Sequence, residues 1–383
     1  MRRALPLIAL LTLLPATATA EITAPRGVDV STVARNLPQP SNLAFDERGG
    51  MWATSAGYST RPSDGVWYVP SARARPRHVV QRLLYALGLT WYRDELYVAH
   101  AHPYGLGGAH TGRVVAYSGF EGGRFARSRV VVSGLPVGLH NADSIVPGPD
   151  GRLYLGVGTQ TDNRAPRSRL SGAVVSFRPD GGGLRVEGRG FRNPYGLAFI
   201  PGTSTLLVSD NGRDDLGLHR PPDELNAIDT TGRARFYGFP RCWGRRGGSC
   251  RGSTPPLVNL TPHAAASGVA VSPDWGGQGP TAFVAQNGSS FARNPTGSDV
   301  VAVRLTRTGD GFRGRRSAFA RGFRKYDPVG AAIGPDGALY VTLHKSNRIV
   351  RFEPPAPRSG ARPPTVGDGL AVVLRLILAW FAS

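Results

Sequence analysis

Short segments in which apolar and polar residues alternate, each interrupted by a tight turn, recur six times along the chain. The clearest copies carry Gly148-Pro149-Asp150-Gly151 and Gly334-Pro335-Asp336-Gly337 between two apolar runs. A period of two residues around a turn of this composition predicts a β-hairpin. The copies begin at Asn42, Gly88, Ser144, Gly196, Gly268 and Gly330, so that successive starts lie 46, 56, 52, 72 and 62 residues apart.

This spacing leaves room for two further strands in each copy, such as residues 112–117 and 348–352. Four-stranded units repeated around an axis form a β-propeller. The sequence between the strands has no long amphipathic helical pattern, which argues against a parallel α/β sheet. We therefore predict an all-β fold, a six-bladed β-propeller with four-stranded blades, over residues 21–353.

Composition agrees with such a fold and limits the partners. The 51 glycines and 32 prolines are expected in turns, while a hydrophobic content of 40% argues against disorder. Lys+Arg number 46 against 26 Asp+Glu, which gives a net charge of +20. The basic residues are scattered, and neither a recognition-helix pattern nor an aromatic RNA-binding motif accompanies them. We expect no nucleic-acid partner.

The two ends of the chain differ from the repeats. Residues 1–20 combine Met1-Arg2-Arg3, an apolar stretch and Ala18-Thr19-Ala20, which is typical of a signal peptide. We expect an exported protein, periplasmic or extracellular, in which Cys242 and Cys250 form a local disulfide. Residues 354–369 form a Pro-rich linker. Residues 370–383 are almost wholly apolar and too short to span a bilayer, so they either pack as a terminal helix or contact a membrane surface.

Polar residues stand just before several of the repeats, where the loops of a propeller converge on its axis. His140 can act as a general base. Arg192 can stabilise an anionic oxygen or form a structural ion pair. The acidic loop 209–215 suits calcium, or needs no metal. A weaker zinc hypothesis concerns three histidines of the second repeat, namely His100, His102 and His110.

Three stretches, RNPYGLAF at 192–199, SDNGRDD at 209–215 and PPDELN at 221–226, resemble the soluble glucose/sorbosone dehydrogenase family. The resemblance continues through YGFPRCWG at 237–244 and PHAA at 262–265. It covers most of residues 43–352 and is most specific from 139 to 263. Members of this family are six-bladed propellers that bind pyrroloquinoline quinone (PQQ) and calcium.

The resemblance implies a role for each matching residue. His140 would remove the proton from a sugar hydroxyl, Arg192 would stabilise charge on the quinone oxygen, and Asn193 would hold the cofactor. The backbone carbonyls of Gly212 and Arg213 would bind calcium. The carboxylates of PQQ would meet basic residues of the last two blades, namely Arg293 and either Arg324 or Lys325.

The chain departs from the family pattern at Leu139, where well-studied members have Asp, and before Gly88, where a glutamine is expected. Asp327-Pro328 displaces a basic residue before the sixth repeat. The leading hypothesis is an exported PQQ- and calcium-dependent dehydrogenase of a sugar or related alcohol or aldehyde, such as a polyol, with a quinone or cytochrome as electron acceptor. The alternatives are a calcium-dependent lactonase-type hydrolase and a cell-envelope binding propeller without cofactor.

Overall fold

The computed structural model describes residues 21–57, 61–103, 110–289, 296–309 and 311–356. Within these ranges the chain folds into strands and contains no helix that could cross a membrane. The predicted signal peptide 1–20, most of the predicted linker, the segment 370–383 and Arg293 lie outside the described residues.

In chain order the strands are β1 (Val30–Arg35), β2 (Pro40–Phe45), β3 (Met51–Ser55), β4 (Gly65–Val69), β5 (Arg77–Gln81), β6 (Leu84–Tyr92), β7 (Glu95–His102), β8 (Thr111–Glu121), β9 (Arg124–Leu135), β10 (Ala142–Pro147), β11 (Leu153–Val157), β12 (Ala173–Phe177), β13 (Arg185–Arg189), β14 (Pro194–Phe199), β15 (Thr205–Asp210), β16 (Pro222–Asp229), β17 (Arg235–Phe236), β18 (Cys242–Trp243), β19 (Gly247–Gly248), β20 (Val258–Pro262), β21 (Ala266–Ser272), β22 (Thr281–Gln286), β23 (Asp299–Thr308), β24 (Gly311–Ala320), β25 (Pro328–Ile333), β26 (Leu339–Leu343) and β27 (Arg348–Phe352).

The strands form six antiparallel blades, and each predicted repeat supplies the two innermost strands of one blade. Blades one and two are β2–β5 and β6–β9, and blade three is β10–β13 with the short β17 added at its edge. Blade four is β14, β15, β16 and β20, and blade five is β21–β24. Blade six is β25–β27 completed by β1, which pairs antiparallel with β27 and closes the ring. The predicted six-bladed propeller with four-stranded blades is confirmed.

Small residues at the start of the repeats are required because neighbouring innermost strands approach closely around the axis. A Cβ on Gly88 would lie 2.1 Å from the carbonyl oxygen of Asp143 in the next blade. A Cβ on Gly196 would lie 2.2 Å from the carbonyl oxygen of Ser267, again in the next blade. A side chain at these two positions would force the blades apart, so glycine is required at both.

The hydrophobic core lies between neighbouring blades. One cluster joins Tyr97 of blade two to Leu155 of blade three, and another joins Phe283 of blade five to Phe352 of blade six. Since each sheet packs on both of its neighbours, a middle strand such as β11 is buried at every position. This explains why a second strand such as LYLGV at 153–157 is a continuous apolar run rather than an alternating one.

The predicted disulfide is also present. Cys242 and Cys250 are bonded, and the bond closes a small loop that contains the hairpin of β18 and β19. This loop lies against blade four, where the backbone N–H of Gly244 donates to Glu224 Oε1 at 2.6 Å. The disulfide therefore holds the backbone of this loop against the buried carboxyl group of Glu224.

Candidate active site

A cavity of about 460 Å³ opens at the end of the propeller axis where the loops before the innermost strands converge. Every blade contributes at least one lining residue, including Ser41, Leu87, His140, Asn193, Ala265 and Val329. The volume falls in the range of roughly 300–1,000 Å³ that small-molecule sites occupy. The expected convergence of polar residues that precede innermost strands is therefore observed for His140, Arg192, Asn193 and His263. Gly212, which follows β15, also lines the cavity.

His140 is held by its backbone, which frees its imidazole for the cavity. Its N–H donates to the carbonyl of Thr159 at 3.0 Å, and its carbonyl accepts from Gly138 at 2.9 Å. The imidazole Nε2 is buried and finds no hydrogen-bond partner among the described residues. Burial and the charge of Arg192 lower the pKa of His140 to about 3. The ring is therefore neutral at ordinary pH and can accept a proton.

Arg192 lines the cavity and is also a member of an ion-pair network. Its guanidinium pairs with Asp162 and, at 2.5 Å, with Asp214 Oδ2, and only 5% of its side chain is exposed. Its Nε also donates to the carbonyl of Asp162 at 3.1 Å. The two sequence-based interpretations of Arg192 are thus compatible, because the two carboxylates fix a cation at the cavity wall. The loop carrying Asp162 was missed by sequence reasoning.

Asn193 is positioned by the carboxylate of Asp210, which accepts the backbone N–H of Asn193 at 2.7 Å and that of Arg192 at 3.1 Å. The side-chain Oδ1 of Asn193 is buried and has no hydrogen-bond partner in the described part of the chain. Gly158 packs beneath both functional side chains. A Cβ there would lie 2.3 Å from His140 Cβ and 3.0 Å from Asn193 Oδ1, so only glycine leaves both in place.

Blade five supplies two more polar atoms to the cavity. The Nε2 of His263 lies 2.8 Å from the carbonyl of Gly217 and 3.1 Å from that of Arg220, so Nε2 carries the proton. The other nitrogen, Nδ1, is buried 3.6 Å from Asp214 Oδ1 and makes no hydrogen bond to the residues described. Asn287 Nδ2 is likewise buried and makes no hydrogen bond to the described residues.

Four cavity-lining residues thus hold buried polar atoms that find no hydrogen-bond partner in the described part of the chain, namely His140, Asn193, His263 and Asn287. Buried polar groups in folded proteins are almost always hydrogen-bonded, and each exception calls for a physical reason. The concentration of such atoms in one cavity is explained if a polar ligand forms the missing hydrogen bonds.

Gly212 and Arg213, the predicted calcium site, lie beside this cavity. Both line a second, much smaller chamber of about 20 Å³, which is large enough for one water-sized species. The carboxyl groups of Asp210 and Glu224 line the same chamber. The guanidinium of Arg213 pairs with Asp215 at 2.6 Å. No group of three or more His, Cys, Asp or Glu side chains suited to a metal occurs among the described residues.

Buried carboxyl groups cluster under the cavity floor. Burial raises the pKa of Asp223 to about 6 and that of Glu224 to about 7. Burial also raises the pKa of Asp210 well above its usual value, and the neighbouring Glu224 adds to the effect. Burial raises the pKa of Asp143 well above its usual value as well, and the neighbouring charge of Asp210 adds to the effect. A cation held among these groups would offset the cost of their burial.

The basic residues predicted before the sixth blade lie elsewhere. Arg324 and Lys325 are exposed and do not line the cavity, and Lys325 lies against the ring of Tyr326 at 4.9 Å. Lys345 lines the cavity instead. The reason is Asp327, whose buried carboxylate accepts the backbone N–H of Ser346 at 2.7 Å and so draws the loop after β26 inward. The sequence analysis noted only that Asp327 takes the place of a basic residue, and it did not predict that Lys345 lines the cavity.

The histidines of the second blade do not form a common site. His100 is buried, with Nδ1 2.9 Å from the carbonyl of Ala101 and Nε2 accepting from Arg113 at 3.1 Å. His102 is exposed, and His110 lies 3.3 Å from Asn141 Oδ1. Both nitrogens of His100 are engaged, so the zinc hypothesis fails for this residue.

Comparison with known proteins supports the same fold. No family model matches the chain. One curated relative, an uncharacterized protein of Borreliella burgdorferi, is 26% identical over 229 residues, which are 54% of this chain and 58% of the relative. The chain therefore matches less than two thirds of that relative's length.

Several solved structures are similar over most of the chain. The PQQ domain of a pyranose dehydrogenase from Coprinopsis cinerea, in its holo form, has a TM-score of 0.70 at 17% identity, covering 87% of this chain and 97% of that one. The PQQ-bound aldose sugar dehydrogenase from Streptomyces coelicolor has a TM-score of 0.66 at 22% sequence identity, and the match covers 86% of this chain and 99% of that one. A calcium structure of a family AA12 carbohydrate-active enzyme from Trichoderma reesei has a TM-score of 0.72 at 16% sequence identity, and the match covers 90% of this chain and 99% of that one. The resemblance read from the sequence is thus confirmed for the fold.

Proposed function

We propose that the protein is an exported oxidoreductase that uses PQQ and calcium to oxidise a sugar or a related alcohol or aldehyde. The observation that carries the proposal is the convergence on one cavity of a fixed guanidinium and four buried polar atoms that have no hydrogen-bond partner among the described residues. The similarity to PQQ-bound sugar dehydrogenases supports it. The disulfide between Cys242 and Cys250 supports export, since such bonds persist in oxidising compartments.

The residues around the cavity fit the proposed cofactor. PQQ is a planar quinone with three carboxylates, and it needs cations, hydrogen-bond donors and a volume of this size. Arg192 and Lys345 provide positive charge at the wall, and Asn287 Nδ2 is a donor without a partner among the described residues. We assign these three residues and Asn193 to cofactor binding. Lys345 thereby takes the role that the family resemblance implied for Arg324 or Lys325.

Within this proposal the chain's own residues handle the proton and the charge. His140 Nε2, neutral and without another partner, accepts the proton from the substrate hydroxyl. Arg192 stabilises the negative charge that develops on the oxygen beside it, and Asp162 and Asp214 keep it in position. When bound, PQQ would supply the carbon that accepts the hydride, with a quinone or cytochrome as the proposed electron acceptor.

Calcium is proposed at the carbonyls of Gly212 and Arg213, next to the small chamber lined by Asp210 and Glu224. Oxygen ligands of this kind suit a hard cation. A calcium ion there would compensate the buried carboxyl groups and act as a Lewis acid toward the cofactor.

Calorimetric titration of PQQ into the purified protein, with calcium and then with a chelator, tests the proposal. We expect binding at one site that requires calcium, followed by dye-linked oxidation of at least one member of an aldose panel. If PQQ does not bind, the proposal is wrong. Binding of a sugar without binding of PQQ would favour the cell-envelope binding propeller.

The hydrolase alternative needs carboxylates that coordinate calcium inside the cavity. Asp214 and Asp223 line it, but Asp214 is engaged by Arg192. Asp223 accepts the backbone N–H groups of Gly212 and Ala266, each at 2.9 Å. Both carboxylates thus have structural partners, so the observed geometry favours the oxidoreductase.

A further inference from the structure

The axial cavity has two chemically different sides. Its charged side chains come from blades three to six, whereas the described lining residues of blades one and two carry no charge, and these are Ser41, Ala56, Tyr85 and Leu87. The hydroxyl of Ser41 is engaged inside the protein, since it donates to the carbonyl of Ala86 at 2.7 Å. The remaining three residues, Ala56, Tyr85 and Leu87, form an apolar wall of the cavity.

A bulge at the start of β6 contains two residues of the apolar wall. The five residues 84–88 of β6 face only the three residues 99–101 of β7, so β6 has two extra residues here. At the same point, the innermost strands of the other five blades have one extra residue each. Bulges of this kind redirect side chains and are common next to active sites. Blade two therefore differs from the other blades where Tyr85 and Leu87 meet the cavity.

The backbone of Tyr85 is strained. Its φ of 48° lies in the left-handed region, which bulky side chains rarely adopt. Three other cavity-lining residues with side chains share this conformation, namely His263, Ala265 and Tyr326. Such strain persists where the surrounding structure imposes it, and it clusters at ligand sites. The position of Tyr85 is thus imposed by its surroundings.

Tyr85 is also connected to the segment that carries the general base. Its ring lies 5.7 Å from the ring of His110, measured between centroids. His110 Nε2 in turn lies 3.3 Å from Asn141 Oδ1, and Asn141 directly follows His140. The innermost strands of blades two and three are neighbours at the axis. A substrate hydroxyl at His140 therefore has the apolar wall on its blade-two side.

We propose that the apolar wall selects a substrate that presents an apolar group, either a deoxy position or an alkyl substituent, to blades one and two. The inference rests on the proposed function, in which Arg192, Asn193, Asn287 and Lys345 bind the cofactor. Once these residues are engaged, the wall is the surface that remains beside His140 for the substrate. A sugar hydroxyl buried against the wall would lose its hydrogen bonds to water, which makes a fully hydroxylated ring a poorer ligand.

The sequence differs from the family pattern at the same place. Where a glutamine is expected before Gly88, residues 83–87 read LLYAL. Where Asp is expected before His140, the chain has Leu139, whose side chain is 57% exposed. Both differences place apolar residues where polar ones are expected, which agrees with a less polar substrate.

Steady-state kinetics of the protein loaded with PQQ and calcium test the inference. The substrates are the most active aldose of the panel and its 2-, 3- and 6-deoxy derivatives. Removal of the hydroxyl that faces the wall should raise kcat/KM about 10-fold, because that hydroxyl no longer has to be desolvated. A site that hydrogen-bonds every hydroxyl would instead reject each deoxy sugar by about 10⁴-fold. A kcat/KM below that of the parent aldose for all three derivatives would overturn the inference.

Three variants assign the preference to the wall. Tyr85→Ser should bring the preferred deoxy sugar within about threefold of the parent aldose, since the apolar surface is lost. Tyr85→Phe keeps the ring and should keep the preference. Tyr92→Ser is the matched control, because Tyr92 lies at the opposite end of β6 and does not line the cavity. Loss of the preference in Tyr85→Phe would show a polar contact of the phenol, and an equal loss in Tyr92→Ser would show a general effect. Either result would overturn the inference.

The same sugars separate this inference from the proposed function. If the parent aldose is oxidised and every deoxy derivative is poorer, the oxidoreductase stands and the role of the wall is wrong. If no sugar is oxidised, the proposed function fails, and calorimetric Kd values of the same sugars decide the role of the wall. A deoxy sugar that binds about 10-fold more tightly than its parent would support it, and equal or weaker binding of all three would overturn it.

Discussion

The two ends of the propeller axis are built from the same six innermost strands and have opposite chemistry. At one end, loops bring His140, Arg192 and His263 to a cavity where several buried polar atoms have no hydrogen-bond partner within the described ranges. At the other end, a cavity of about 340 Å³ is lined by strand residues such as Phe199 and Val271, and no lining residue is ionisable. The polar groups there are satisfied, as for Asn42 Nδ2, which donates to Ser144 Oγ at 3.0 Å.

The difference shows which part of the chain each property depends on. Regular strands can satisfy their backbone and pack apolar side chains, and they repeat in all six blades. The candidate site lies on loops that differ from blade to blade and that the rigid ring positions. If this division is right, substitutions at the loop end should change binding and turnover, and substitutions at the strand end should change stability alone.

The largest effect is expected for His140→Gln. Loss of a general base lowers turnover by about 10²- to 10⁴-fold, while PQQ should still bind, because the base contacts the substrate. Dye-linked oxidation and calorimetry measure the two quantities. His78→Gln is the matched control, since His78 Nε2 is also buried and unpartnered among the described residues but lies outside the cavity. Unchanged turnover in His140→Gln would remove this residue from its assigned role.

A smaller effect is expected for Arg192→Lys. Lysine keeps the charge but cannot pair with Asp162 and Asp214 at once, so the cation at the wall is no longer fixed. The Kd of PQQ should rise by about 10- to 100-fold, as for loss of a hydrogen bond to a charged group. Arg185→Lys, at the pair with Glu187 away from the cavity, should leave the Kd unchanged. Equal Kd values in both variants would contradict the assignment.

The buried carboxyl groups predict that calcium stabilises the protein more at high pH. Asp223 and Glu224 have pKa values raised to about 6 and 7, so between pH 4 and 7 the native state binds more protons than the unfolded chain. Their contribution to stability is present below pH 4 and is lost as the pH rises through 6 to 7. A calcium ion bound as proposed would replace those protons.

The increase in Tm caused by calcium over chelator should therefore be larger at pH 8 than at pH 5. The lowered pKa of His140 acts in the opposite direction, but it cancels in this difference when each pH is compared with its own chelated sample. An increase that is equal at both pH values would place calcium away from these carboxyl groups.

The smallest effect on activity is expected at the opposite end of the axis. Val271→Ala removes buried methyl groups and should lower the free energy of unfolding by about 1–3 kcal/mol. Turnover and the Kd of PQQ should equal those of the wild type. A selective loss of activity in a stable variant would show that the two ends are coupled and would break the comparison.

The repeats made the fold predictable from the sequence, because alternation and turn residues are local signals and each copy reports the same two strands. The disulfide was predictable for the same reason, since Cys242 and Cys250 are close in the sequence. The closure of blade six by β1 was not predicted, because that pairing joins residues more than 300 positions apart, such as Val30 and Phe352.

The site was predictable only where a residue directly precedes an innermost strand. His140, Arg192 and Asn193 satisfy that condition and line the cavity. Lys345 follows a second strand, and it reaches the cavity through the tertiary contact of Asp327 with Ser346. Such a contact leaves no periodic signal in the sequence.

A crystal structure of the protein with PQQ and calcium tests the central claim most directly. The account predicts the cofactor in the axial cavity, with hydrogen bonds to Asn193 and Arg192, and a calcium ion on the carbonyls of Gly212 and Arg213. PQQ bound elsewhere, or a cavity that stays empty of cofactor at saturating concentration, would contradict it.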